Sequence, residues 1–121
     1  METEHFENLV LEALDDLPEE FKERLENVDV VVDDVASSHQ LKEAGLRHGY
    51  ELLGLYEGVP LTERGAHYGL VLPDKISIFK RPIERSCRSD EEIKELVTSV
   101  VKHEIAHFFG ISDGRLEELG R

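Results

Sequence analysis

Residues 89–113 read SDEEIKELVTSVVKHEIAHFFGISD, and this stretch decides the fold. Ser89 and Glu92 have the S-x-x-E spacing of a helix N-terminus, where acidic side chains also interact favourably with the helix dipole. Apolar residues then follow at helical spacing: Ile93, Leu96, Val97, Val100, Val101, Ile105 and Phe108. Gly110 suits the left-handed conformation that ends many helices. The pattern predicts a helix of roughly twenty residues with one buried face.

The same helix carries His103-Glu104-Ile105-Ala106-His107, an H-E-x-x-H sequence. Histidines four residues apart lie on one side of a helix, so both imidazoles can reach one point in space. That arrangement suits a tetrahedral Zn²⁺ that keeps one position open for water. Glu104 lies beside His107 around the helix and can take a proton from that water. The motif therefore predicts that His103 and His107 bind zinc and that Glu104 is the catalytic base.

The third zinc ligand is expected to come from the segment after the helix. Asp113 follows His107 by six residues, and a chain that turns back at Gly110 brings this carboxylate toward the metal. Glu117 and Glu118 are the alternatives if Asp113 does not reach it. The competing interpretation is that the histidines are ordinary side chains at the edge of a core helix.

The remainder of the chain predicts helices at both ends with strands between them. Helical spacing over residues 6–17 predicts an amphipathic first helix, which Pro18 ends, and Asp16 is a candidate N-cap for a short second helix. Strands are expected at residues 28–35, 51–56, 68–72 and 75–80. This order indicates an α+β fold with the last helix packed against one face of the sheet.

The connections between these elements are read from turn and helix signals. Residues 40–46 have some helical character, residues 72–75 have the composition of a turn, and residues 81–89 are expected to form a loop. The last two strands would then form a hairpin. We expect residues 1–121 to form a single domain.

The composition excludes several classes of partner. The chain has 27 acidic and 14 basic residues and a net charge of −13, which disfavours nucleic acids and anionic membranes. The single cysteine, Cys87, excludes an intramolecular disulfide and fits a reducing cytoplasm. Residues 1–20 lack the features of a signal peptide, and no apolar run approaches the ~20 residues of a membrane span. We therefore expect a cytoplasmic protein.

The sequence resembles the small bacterial zincin-like metallopeptidases that carry H-E-x-x-H-x-x-G-x-x-D. Beyond the motif, the resemblance extends to residues 52–61, 72–76, 79–85 and 110–120, and so covers most of the chain. It implies a minimal zincin-like fold, with a small mixed sheet packed against N-terminal helices and a long C-terminal active-site helix. It also implies that His103, His107 and Asp113 bind Zn²⁺ and that Glu104 acts as the base.

One departure from the larger zincins concerns the floor of the site. Those with the H-x-x-G-x-x-H/D extension usually have a methionine-containing turn below the metal, whereas the only methionine here is Met1 and eight residues follow Asp113. We therefore expect a shallow site that is open on one side.

The preferred hypothesis is a zinc metallopeptidase that hydrolyses peptide bonds in a peptide or protein substrate. The hairpin at residues 68–80 is the candidate edge strand for docking an extended peptide. Tyr56 and Tyr68 are candidates to stabilise an oxyanion, although packing is the commoner role of such strand tyrosines.

Two other functions remain open from the sequence. The truncated cleft favours a zinc-binding interaction module of the same fold with little or no catalytic activity. The same chemistry also permits hydrolysis of a small non-peptide amide. The compact size is compatible with a homo-oligomer formed through exposed strands.

Overall fold

The computed structural model describes residues 2–45, 52–58 and 73–110. Along these residues the elements are α1 (Thr3–Asp15), α2 (Glu19–Arg24), β1 (Val28–Asp33), α3 (Ser38–Glu43), β2 (Gly54–Glu57), β3 (Asp74–Phe79), α4 (Lys80–Ser86) and α5 (Asp90–Phe109). The strands form one sheet in the order β1-β3-β2, in which β1 runs parallel and β2 antiparallel to β3. The predicted α+β class, mixed sheet and long C-terminal helix are therefore confirmed.

Helix α5 begins and ends where the sequence predicts. The Ser89 hydroxyl accepts a hydrogen bond from the Glu92 backbone N–H at 3.2 Å, and Gly110 has a φ of 70° at the C-cap. The Glu92 carboxylate accepts from the Arg88 backbone N–H at 3.3 Å, one residue before the N-cap. Two side chains thus satisfy backbone donors that a helix start would otherwise leave unpaired.

The N-terminal helices pack by the predicted apolar face. Phe6, Leu9, Val10 and Ala13 of α1 are buried, as is Leu17 after it. Helix α2 begins directly after Pro18, and no side chain caps it, whereas Asp16 is the C-cap of α1. The expectation that Asp16 caps α2 is wrong, because Pro18 itself lies at the helix start, where the missing N–H costs nothing.

Two predicted connections are regular structure instead. Residues 80–86, which are the last residue of the expected strand and most of the expected loop, form α4, because Pro82 fits the first helical turn and is buried there with Ile83. Asp74, expected in a turn, is the first residue of β3, where its backbone N–H donates to the Asn27 carbonyl at 3.2 Å. Pairing with β1 extends the strand to this residue.

The position of β3 changes the predicted docking edge. β3 is paired on both sides, so it cannot offer a free edge to a peptide, and the expectation that a 68–80 hairpin does so is wrong for residues 74–79. The predicted strand at residues 68–72 lies outside the described residues. Among the described strands, β2 is the edge strand that packs against α5.

The sheet separates the helices into two layers. Ile76 and Ile78 of β3 are fully buried on the side of α1 and α5, where Val97, Val101 and Ile105 are also fully buried. On the opposite side, the Gln40 side-chain amide of α3 donates to the Glu57 carboxylate at 3.0 Å and to the Ser77 hydroxyl at 3.5 Å. The edge formed by β2 therefore lies between α3 and α5.

None of the helices in the described part of the chain is both long and apolar enough to cross a membrane.

Candidate metal centre

The last turns of α5 place the two motif histidines at the surface. His103 and His107 are exposed and one helical turn apart, whereas Ile105 and Ala106 between them are buried. The buried side chains fix the rotation of the helix in the core. Both histidines therefore lie on the exposed part of the helix, and that they bind one metal ion stays a prediction.

The His103 ring is oriented in the way that a metal ligand requires. Its Nδ1 lies 2.8 Å from the Ser99 carbonyl oxygen, which can only accept a hydrogen bond. In the neutral ring Nδ1 therefore carries the proton, and the lone pair lies on Nε2. A backbone carbonyl is one of the usual outer partners of a metal-bound histidine. This hydrogen bond is therefore compatible with the proposed role of His103 as a zinc ligand.

The third ligand stays a prediction. Within residues 2–45, 52–58 and 73–110, no three His, Cys, Asp or Glu side chains form a group that can hold a metal ion. Asp113 and the alternatives, Glu117 and Glu118, lie outside the described residues.

Glu104 is held between the helix and the sheet. Its side chain is half-buried, and its Oε1 atom accepts a hydrogen bond from the Tyr56 backbone N–H at 2.9 Å. The Leu53 carbonyl accepts a hydrogen bond from the Phe79 N–H at 3.0 Å, so the backbone groups of residue 53 face β3. Along an antiparallel strand every second residue bonds to the same neighbour. Residue 56 is three positions further on, so the Tyr56 N–H faces away from β3. This bond fixes one carboxylate oxygen of the candidate base and leaves Oε2 as the oxygen for proton transfer.

The Tyr56 side chain is itself held by a hydrogen bond and by ring contacts. Its hydroxyl donates to Asp74 Oδ2 at 2.7 Å, in buried surroundings. Its ring stacks on Phe108, with centroids 4.0 Å apart, and meets the edge of Phe109 at 6.1 Å. The hydroxyl points toward Asp74, so the observed role of Tyr56 is packing and positioning, and not oxyanion binding. Tyr68, the other candidate, lies outside the described residues.

A groove of about 620 Å³ runs beside these groups at the β2 edge. Glu104 and His107 lie on its wall with Glu43 of α3, and the other lining residues are apolar or aromatic: Ala44, Leu52, Leu55, Tyr56 and Phe108. Phe108 is 48% exposed at the rim. An apolar groove with a few polar groups at one end is typical of a site for an organic substrate.

The structure adds Asp74, which the sequence did not indicate as part of this site, and gives Tyr56 a role other than the expected one. No local sequence pattern indicates that the Tyr56 backbone N–H lies next to Glu104, because this position depends on how β2 packs against α5. Asp74 carries a weak signal, since it is an acidic residue directly before the apolar stretch of β3. Its burial next to Tyr56 identifies it as a structural partner.

The comparison with known families agrees with the geometry. A family model described as zincin-like metallopeptidase matches residues 25–121, which include the whole sheet, α5 and the H-E-x-x-H sequence. No curated protein matches the chain. The family typically binds zinc. Since the match covers far more than half of the sequence, the chain belongs to the zincin-like metallopeptidase family.

Proposed function

We propose that the chain is a zinc-dependent peptidase in which Glu104 activates the water that attacks a peptide bond. One observation carries this proposal. The Glu104 carboxylate is fixed by the Tyr56 N–H at 2.9 Å, on the wall of a groove that it shares with His107. Family membership supports a hydrolase of this class.

The proposed roles follow from the positions of the donors. His103 and His107, with Asp113 as the expected third ligand, would hold the zinc ion. When bound, zinc supplies a positive charge that acidifies water and polarises the scissile carbonyl. Glu104 Oε2 accepts a proton from the attacking water while the water oxygen forms a bond to the carbonyl carbon of the peptide. The same atom returns the proton to the amine nitrogen as the carbon–nitrogen bond breaks.

The substrate is proposed to lie in extended form along β2. The Gly54 backbone groups and the Tyr56 carbonyl face away from β3, on the side where a peptide strand can add to the sheet, whereas the Tyr56 N–H on that side donates to Glu104. Leu52, Leu55 and Phe108 offer apolar surface to a side chain near the scissile bond. This edge replaces the hairpin that the sequence suggested.

The alternative is a zinc-binding interaction module with little catalysis. The exposure of both His103 and His107 favours this alternative. Efficient hydrolysis benefits from a site that shields the reacting groups from bulk water.

The test compares wild type with Glu104→Gln in a digest of a peptide library by the zinc-loaded protein, read by mass spectrometry. Glutamine keeps the size of the side chain and an oxygen for the Tyr56 N–H, but it cannot take up the proton. We expect cleavage to fall by about 10²–10⁴-fold while bound zinc is unchanged. Glu95→Gln, an exposed position on the same helix, is the matched control and should cleave as wild type does.

Two outcomes would count against the peptidase. Cleavage by Glu104→Gln at the wild-type rate contradicts the role of the base. Zinc-loaded wild type that cleaves nothing beyond a chelator-treated sample supports the interaction module.

A further inference from the structure

A second groove lies on the β1 side of the sheet, away from the candidate metal centre. Its volume is about 460 Å³, and it is bounded by α1, the end of α2 and β1. Most of its lining is aliphatic: Val10, Leu11, Leu14, Leu25, Val28, Val30 and Val32. It shares no lining residue with the groove that contains Glu104 and His107. We call it the α1–β1 groove.

This groove exists because the helices cover the described sheet unevenly. Helix α5 packs over β2 and β3, and α1 packs against α5. A helix is about 10 Å across and strands are about 4.8 Å apart, so one helix covers about two strands. Val28, Val30 and Val32 of β1 point to the same side as Ile76 and Ile78, yet all three valines are only partly buried. Of the described strands, β1 is therefore the one that α5 covers least.

The apolar lining reaches the surface through Leu11. This leucine of α1 is 61% exposed, the highest value among the exposed large hydrophobic residues of the described chain. Leu14 and Leu25 are partly buried beside it. An exposed leucine that continues into an apolar groove is typical of a docking surface.

The charge around the groove is strongly negative. Residues 2–34, which form α1, α2 and β1, contain thirteen acidic and two basic residues, a net charge of −11 within a chain total of −13. Glu7 and Asp15 lie at the groove, with Lys22 as the basic residue among its lining. The negative charge of α1 extends to α5: the pKa of Lys94 is raised mainly by its hydrogen bond with Glu91, and further by Glu12 and Asp16.

We propose that the α1–β1 groove binds a basic amphipathic helix of another protein. The apolar side of that helix would pack on Leu11 and on the valines of β1, and its lysine or arginine side chains would lie over Glu7 and Asp15. A second copy of this chain is disfavoured, because two surfaces of the same strong negative charge repel one another. A nucleic acid or an anionic lipid surface is disfavoured for the same reason.

The experiment measures binding of a fluorescent helical peptide of leucine and lysine, with all leucines on one side, by anisotropy at about 150 mM NaCl. The protein is the full chain. A peptide of the same composition with its leucines distributed around the helix controls for charge alone. We expect the amphipathic peptide to bind at least about tenfold more tightly than this control.

The variants locate the site. Leu11→Gln removes apolar surface at an exposed helical position, so the fold should be kept, and we expect affinity for the amphipathic peptide to fall about tenfold. Val35→Gln is the matched control, because Val35 is 50% exposed but does not line the groove. Its affinity should equal that of wild type.

Three results would overturn the proposal. Equal binding of both peptides means attraction by charge alone, and an unchanged affinity of Leu11→Gln means binding elsewhere. No binding of either peptide means that the groove is filled by the chain itself or by another occupant. A wild-type dimer that becomes monomeric in Leu11→Gln would identify that occupant as a second copy.

Discussion

Tyr56 connects the candidate base to the core of the molecule. Its backbone N–H holds Glu104, while its hydroxyl is bonded to Asp74 at 2.7 Å in a site where Asp74 is 9% exposed. A buried hydrogen bond contributes more to the stability of a fold than an exposed one does, because water cannot replace the partner that is lost. Tyr56 therefore serves both stability and the geometry of the site.

Tyr56→Phe should lower the free energy of unfolding by about 1–3 kcal/mol, because it removes the hydroxyl and keeps the ring on Phe108. Urea denaturation measures this change. The double variant Tyr56→Phe/Asp74→Ala should lose less than the two single variants together, since each single variant removes the same bond. Strictly additive losses would show that the hydrogen bond contributes nothing.

Cys87 is predicted to react slowly. Burial raises the pKa of its thiol, and the nearby Glu92 carboxylate raises it further, so at pH 8 less of the reactive thiolate is present than in an unperturbed cysteine. Iodoacetamide should modify Cys87 more slowly than it modifies glutathione, and Glu92→Gln should increase the rate. An unchanged modification rate in Glu92→Gln would show that the Glu92 carboxylate does not affect the Cys87 thiol.

At the residue scale, the sequence predicts which side chains are neighbours on one helix, because the helical period determines this. His103, Glu104 and His107 are neighbours because positions one to four apart share a side of any helix. The structure places all three as that period requires, and their catalytic and metal-binding roles remain predictions. Tyr56 and Asp74 could not be found in this way, because their positions depend on strand pairing between distant parts of the chain.

At the scale of elements, β2 and α5 approach closely at one glycine. A Cβ atom on Gly54 would lie 2.5 Å from Val100 Cγ1 and 3.1 Å from the Ser77 carbonyl oxygen, and both distances are shorter than ordinary contacts. Only glycine lets the strand lie this close to the helix. The approach also brings the Tyr56 N–H within reach of Glu104.

Gly54→Ala should therefore destabilise the fold by about 1–3 kcal/mol and reduce cleavage, because it forces β2 away from α5. Thermal unfolding and the peptide digest measure the two effects. Adding Val100→Ala removes the closest atom and should restore part of the loss, whereas Val100→Ala alone should destabilise. If Gly54→Ala is as stable and active as wild type, the close approach has no functional meaning.

The elements differ in how well the sequence predicts them. Helices α1 and α5 are long and amphipathic, and Gly110 marks the end of α5, so their extents follow from local pattern. Helix α4 was missed because Arg81-Pro82 also suits a loop, and only the burial of Pro82 and Ile83 makes it a helix. The start of β3 was missed because pairing with β1 outweighs the turn preference of Pro73-Asp74.

At the scale of the whole molecule, two grooves of different character lie at the two edge strands of the described sheet. The groove at β2 contains the candidate catalytic groups, and the α1–β1 groove lies among most of the negative charge. The net charge could be read from the sequence. Its concentration beside an apolar groove could not, because the groove exists only after α1, α2 and β1 have packed. That residues 1–121 form one domain stays a prediction.

The most direct test of the central claim is the zinc content of the purified chain, measured by elemental mass spectrometry after loading and removal of free metal. We predict about one zinc ion per wild-type chain, loss of zinc in His103→Ala and His107→Ala, and a lower content in Asp113→Ala. His39→Ala is the control, because His39 is an exposed histidine that pairs with Glu43 on α3, and it should keep the wild-type content. Wild type that takes up no zinc, or a His103→Ala variant that keeps all of it, would contradict the metal centre and the peptidase proposed from it.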